Sequence, residues 1–287
     1  MLPLVWALII GTAVALYVVL DGFDLGVGIL FPFLSEERER DQMMNSVAPY
    51  WDGNETWLVL GGAGLWVAFP KAFAIIMPAV YLPLMIMLLA LVFRGVAFEF
   101  RWVAKPNHAR WDVAFSAGST LAAFAQGLVL GALLQGVTVR DGQFAGGTWD
   151  FLSPFSLLCG CALVIGYALL GATWLMMKTE GSVERHARRL GMPLLAALMA
   201  CVVAVSVWTP LALDRVAERW FLTCRTFRTC CRRLPLVTAK LCGETPVGTA
   251  RLGSLAGLGG SSHVVDLRLI PGREARSRPR ARYHYRN

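Results

Sequence analysis

The sequence predicts an all-α protein, a polytopic transmembrane helical bundle of about six helices with its N-terminus outside and an irregular C-terminal tail. Three observations predict it. Of the 287 residues, 56% are hydrophobic and the mean hydropathy is +0.55, beyond the usage of ordinary soluble domains. Apolar runs near twenty residues recur, each long enough to cross a hydrocarbon layer of ~30 Å. No alternating pattern of the kind that builds a membrane barrel is present.

Helix 1 is predicted over Leu4–Leu34 and, lacking a basic start and a small-residue cleavage site, is expected to be retained. Gly22 and Gly26, four residues apart, suit close helix packing. Ser35–Asn45 reads as a solvated loop. Helix 2 follows over Ser46–Pro70, and helix 3 over Phe73–Phe100 with kinks at Pro78 and Pro83. Arg101, Lys105, His108 and Arg110 form a basic loop. Helix 4 covers Trp111–Val137, with Asp112 as a cap or first-turn acid. Arg140–Ser153 reads as a glycine-rich loop. Helix 5 spans Pro154–Met177, Lys178–Arg189 is a second basic loop, and helix 6 spans Leu190–Leu213. Lys and Arg collect after helices 1, 3 and 5, so those loops are assigned to the cytoplasm.

Charge divides the chain. Residues 1–213 hold twelve Lys/Arg against fourteen Asp/Glu, whereas residues 214–287 hold fifteen against five. The basicity belongs to the tail and does not argue for nucleic acid as a partner of the bundle. Cys159, Cys161 and Cys201 read as small core hydrophobes. Cys224, Cys230, Cys231 and Cys242 lie in the tail at spacings that fit no zinc pattern. The bundle is therefore assigned to residues 1–220 and the basic, Cys/Arg-rich tail to 221–287. A loss of reading frame near Phe221–Thr223 is expected, with a lipid-binding arm as the alternative.

Acidic groups stand at membrane depth in three stretches: Leu20-Asp21-Gly22-Phe23-Asp24-Leu25-Gly26, Trp51-Asp52-Gly53-Asn54-Glu55-Thr56-Trp57 and Val92-Phe93-Arg94-Gly95-Val96-Ala97-Phe98-Glu99-Phe100-Arg101. An ionised carboxylate at mid-bilayer costs roughly 2.5–3.5 kcal/mol, so each must be neutral, paired or hydrated. A set of such groups is a means of moving protons through a low-dielectric region. Haem ligation has poor support. The histidines are His108, His186, His263 and His284, none inside a predicted helix. A haem here would need a methionine such as Met85 or Met199, or a cysteine, and methionines in apolar helices ordinarily pack.

In order and spacing the three motifs resemble subunit II of the cytochrome bd-type quinol oxidases, including the cyanide-insensitive branch, over about residues 1–220. The resemblance implies a non-haem subunit of the bacterial inner membrane that scaffolds a haem-bearing subunit I. Haem b, haem d and quinol oxidation would belong to that partner, and oxygen would be reduced to water. It also implies two more membrane helices than are found here. Asp52 and Glu99 match the family's proposed proton route, with Asp21 and Asp24 nearby. Arg94 matches a family arginine and is the expected ion-pair partner of those acids, with a snorkelling boundary residue as the alternative; Asn54 and Glu55 are orienting candidates. Asp21 and Asp24 either carry protons or lock helix 1 to helix 2 through Asn54. Trp51 and Trp57 either stack on a bound quinone or anchor the membrane boundary. A proton-coupled transporter and a purely structural membrane subunit are the competing functions.

Overall fold

The computed structural model describes residues 2–104 and 108–212. The boundary near residue 220 and the tail lie outside them. The described residues form eight helices: α1 (Leu2–Leu30), α2 (Glu37–Val47), α3 (Trp51–Ala68), α4 (Pro70–Ala79), α5 (Tyr81–Val103), α6 (Ala109–Gln135), α7 (Pro154–Lys178) and α8 (Ser182–Ala212). A 3-10 turn, Phe31–Phe33, follows α1. Strands β1 (Val139–Arg140) and β2 (Gln143–Phe144) pair antiparallel between α6 and α7.

Five helices, α1 with its 3-10 extension, α5, α6, α7 and α8, are long and apolar enough to cross a membrane. The sixth expected span, α3, falls outside that set because its first two turns carry Asp52, Asn54 and Glu55. Its 18 residues cover about 27 Å at 1.5 Å per residue, near the thickness of the hydrocarbon layer.

Helix α6 is central and packs on α1, α5 and α7. Small residues make this possible: Gly118, Ala122, Ala123, Ala125 and Gly127 are buried along it. At the α1–α7 crossing, a Cβ on Gly26 would collide with the Tyr167 carbonyl oxygen, and one on Gly171 with the Gly26 backbone. Gly22 faces Tyr167 as well, so the Gly22/Gly26 pair marks the α7-facing side of α1.

Four expectations about elements are corrected. Ser35–Asn45 is largely helical, because Met43, Met44 and Val47 form a fully buried stripe while Glu37 and Glu39 occupy the favourable first turn. Helix 3 is two helices, not one kinked helix. Proline at position 83 removes an N–H and crowds the carbonyl four residues back, at Ala79, and the chain breaks at Val80 (φ −118°, ψ 19°). The basic loop before α8 is mostly its first two turns, with Val183 and Ala187 buried, so His186 is an exposed helical residue. The Arg140–Ser153 loop contains a hairpin turn at Asp141 (φ 51°) and Gly142 (φ 75°), a pair of left-handed conformations that suits a two-residue connection.

Candidate functional site

Three helices place five polar side chains at one buried point. Helix α1 contributes Asp21 and Asp24, α3 contributes Asn54 and Glu55, and α5 contributes Arg94. Asp21, Asp24 and Arg94 are each 0% exposed, and the Glu55 side chain is 24% exposed. Arg94 Nη1 donates to Asp21 Oδ1 at 2.9 Å and to Glu55 Oε1 at 2.8 Å. Its Nη2 lies 3.9 Å from Asp24 Oδ2. Asn54 Nδ2 donates to Asp24 Oδ2 at 2.7 Å and to the Leu20 carbonyl at 3.3 Å, tying α3 to α1.

Three carboxylates thus share one guanidinium. Fully ionised, the set carries two uncompensated negative charges in a low-dielectric interior, which proton binding relieves. Asp21 Oδ2, Asp24 Oδ1 and Arg94 Nε and Nη2 lack hydrogen-bond partners among the described residues. An unmet buried polar group costs about 1–3 kcal/mol, and four of the seven such side-chain atoms among the described residues lie here, the others being Arg101 Nη2, His108 Nδ1 and Trp174 Nε1.

The helical period explains which expected residues join. Arg101 is seven residues beyond Arg94 and returns to its face, whereas Glu99, five beyond, points about 140° away. Glu99 is exposed. Asp52 stands two residues before Asn54, on the far side of α3, and is exposed. The expectation that Asp52 and Glu99 lie inside the bundle is therefore corrected, as is their pairing with Arg94, whose partners are Asp21, Asp24 and Glu55. Complete burial also rules out Arg94 as a boundary residue that reaches toward water. Trp51 stacks on Phe98, with ring centroids 5.0 Å apart and 6° between planes, and packs over Gly95. Trp57 is half-buried.

A second ionic group lies two turns along α5. Arg101 Nε donates to Asp112 Oδ1 at 2.5 Å and its Nη1 to Asp41 Oδ1 at 2.5 Å. Arg40 Nη1 donates to Asp112 Oδ2 at 3.0 Å. Arg101, expected in the basic loop after helix 3, is instead 0% exposed. Asp112, expected as a cap, bridges two arginines. Rings connect the two groups: the Arg94 guanidinium lies 5.9 Å from the Phe98 centroid, Phe98 meets Phe115 edge-on, Phe115 meets Phe31, and Arg101 lies 5.6 Å from Phe31. The seven-residue arginine spacing was the available signal for this arrangement.

A third polar group had no such signal. Tyr167 donates its hydroxyl to Gln126 Oε1 at 2.8 Å, and Gln126 Nε2 donates to the Tyr17 hydroxyl. Tyr17 sits one turn before Asp21 on α1 and is 4% exposed.

Among the described residues, the donor set does not fit a haem. His108 is at the N-cap of α6, His186 is exposed, and Met85 and Met199 point outward at 49% and 54% exposure. Of the bundle cysteines only Cys159 is buried; Cys161 is exposed and Cys201 intermediate, a correction to their expected burial.

The fold and this site define an all-α, multi-pass membrane protein with an arginine and shared carboxylates buried between its helices. The chain belongs to the cytochrome bd terminal oxidase subunit II family, whose model matches residues 2–260. It is 33% identical over 221 residues to the cytochrome bd-I ubiquinol oxidase subunit 2 of Escherichia coli K12, covering 74% of this chain and 58% of that protein. It is 30% identical over 224 residues to the cytochrome bd ubiquinol oxidase subunit 2 of Bacillus subtilis, covering 76% and 66%. The chain thus spans little more than half the length of the Escherichia coli relative. The bd oxidase structure from Geobacillus thermodenitrificans matches with a TM-score of 0.52 at 12% identity, over 73% of this chain and 54% of that one, a likeness of fold.

Proposed function

We propose that the chain is the non-haem subunit of a quinol-oxidising terminal oxidase of the bacterial inner membrane. It scaffolds a haem-bearing partner and supplies part of the path by which protons reach the site of oxygen reduction. The observation that carries this reading is the set of three carboxylates on one buried arginine, beside donors that, among the described residues, are unsuited to holding iron. The chain offers groups that exchange protons and leaves electron transfer to a partner carrying haem b and haem d, with quinol as donor.

Within that reading, Asp21, Asp24 and Glu55 hold and pass protons around the fixed charge of Arg94, and Asn54 orients Asp24. Asp52 and Glu99 are exposed, each one residue along the chain from the stacked pair Trp51–Phe98 that marks the α3–α5 seam. We assign that seam to the contact with the partner, where exposed acids exchange protons with it. Trp51 and Trp57 serve this boundary, and a bound quinone is an alternative occupant beside them. The bundle is assigned to residues 1–220, with 221–287 as a separate tail.

Purification of the tagged chain from its native membrane tests the reading. Haem b and haem d absorbance should accompany it, together with quinol-dependent oxygen consumption. A colourless preparation would favour a transporter. Asp52→Asn and Glu99→Gln should slow proton uptake while leaving haem content unchanged; normal uptake in both would remove the seam from the pathway.

A further inference from the structure

Two depressions on the flank of the bundle abut to form one groove along α6. The first, about 340 Å³, lies between the 3-10 turn and the start of α6, with Phe31, Arg40, Asp112 and Val113 in its walls. The second, about 810 Å³, lies between α6 and α7, with Leu121, Phe124 and Val164 in its walls. Ala117 lines both. Val113, Ala117 and Leu121, four residues apart, are all exposed and form a continuous apolar stripe.

The groove has the depth of a leaflet. From Ala109 to Phe124 the rise is about 22 Å at 1.5 Å per residue. It begins at the polar end of α6 and spans half of a bilayer that is ~40–45 Å thick with its headgroup regions.

Its polar end offers a guanidinium. Arg40 Nε donates to the Leu34 carbonyl and Nη1 to Asp112. Nη2 has no hydrogen bond among the described residues, and the side chain is 26% exposed. Both Asp112 oxygens already accept from arginines. The charges of Arg40, Asp41, Arg101 and Asp112 cancel, so the edge open to a ligand is a donor and not a free carboxylate. Arginine suits phosphate oxygens through its planar array of N–H groups.

We propose that this groove holds one glycerophospholipid of the leaflet beside the α5–α6 turn. Its phosphodiester sits on Arg40 and an acyl chain runs along Val113, Ala117 and Leu121. Free phosphate would leave the apolar stripe uncovered, and a neutral apolar molecule would leave Arg40 unused.

Native mass spectrometry of the full chain, with the subunits that copurify, tests this after a delipidating detergent wash. The chain is offered dioleoyl phosphatidylethanolamine or dioleoylglycerol, which has the chains and no phosphate. The wild type should retain one phospholipid and roughly ten-fold less diacylglycerol, a difference of about 1.4 kcal/mol. Ala117→Trp, which blocks the groove where its two parts meet, should cut phospholipid retention at least about ten-fold. Val203→Trp, on an exposed face of α8, should leave it unchanged. Arg40→Gln should bring phospholipid down to the diacylglycerol level. Retention unaffected by Ala117→Trp, equal retention of the two lipids, or no retained lipid at all would overturn the proposal.

Discussion

Arg94 holds the bundle together at the scale of a single side chain. It is wholly buried and answers three carboxylates from two other helices. Removing one partner of a buried pair leaves an uncompensated charge, at a cost of about 3–5 kcal/mol. Arg94→Gln should therefore destabilise the chain by about that amount, measured by thermal unfolding in detergent. Asp21→Asn should recover part of the loss in the double variant, because one of the stranded charges disappears. Asn54 acts by orientation and not by charge. Asn54→Leu removes the donor at 2.7 Å from Asp24 and should cost about 1–3 kcal/mol. Asp24→Asn should cost less than either variant, since it keeps an acceptor for Asn54 and removes one negative charge from an acid-rich set.

At the scale of elements, contact between helices is limited by what they lack. A methyl group at Gly26 or Gly171 meets backbone, which cannot rotate aside, so α1 and α7 would have to separate. Gly26→Ala should cost about 1–3 kcal/mol through overpacking. Gly11→Ala, where the new Cβ meets nothing within 4 Å, should be neutral or stabilising by up to about 1 kcal/mol. Unfolding of the two variants side by side measures the difference. Helices α1, α6 and α7 were legible because each is a long apolar run. Helix α2 was not, since its buried apolar stripe is three residues, Met43, Met44 and Val47, within a charged stretch. The break at Val80 was half legible: Pro78 and Pro83 signal a disturbance, but the Pro83 ring acts on the preceding turn and ends α4. The same limit applied to the site. Membership in the acidic motifs was readable, whereas the inward face of each helix was fixed only by packing. Asn54 and Arg94 turned in, and Asp52 and Glu99 turned out. Gln126 carried no pattern at all, a lone amide among Ala, Gly and Leu.

For the whole molecule, the two ionic groups and the rings between them define a polar axis, and the connections define its ends. The α5–α6 turn, α2 and the start of α8 bring together Arg38, Arg40, Arg110, Arg185, Arg188 and Arg189, while the α6–α7 connection carries the hairpin at Asp141–Gly142 and only Arg140. Basic residues near helix ends are retained on the cytoplasmic side, which predicts the Arg101–Asp112 group at that face and the hairpin outside. The exposed tip of the hairpin makes this measurable without disturbing the core. In a background with the native cysteines replaced, Asp141→Cys should react with a membrane-impermeant maleimide in intact spheroplasts. Arg185→Cys, exposed on the first turn of α8, should react only after the membrane is opened. The reverse labelling would invert the molecule. Any proton path built on Asp21, Asp24 and Glu55 would then draw from the wrong side of the membrane, and the proposed contribution to a proton-motive oxidase would fail with it.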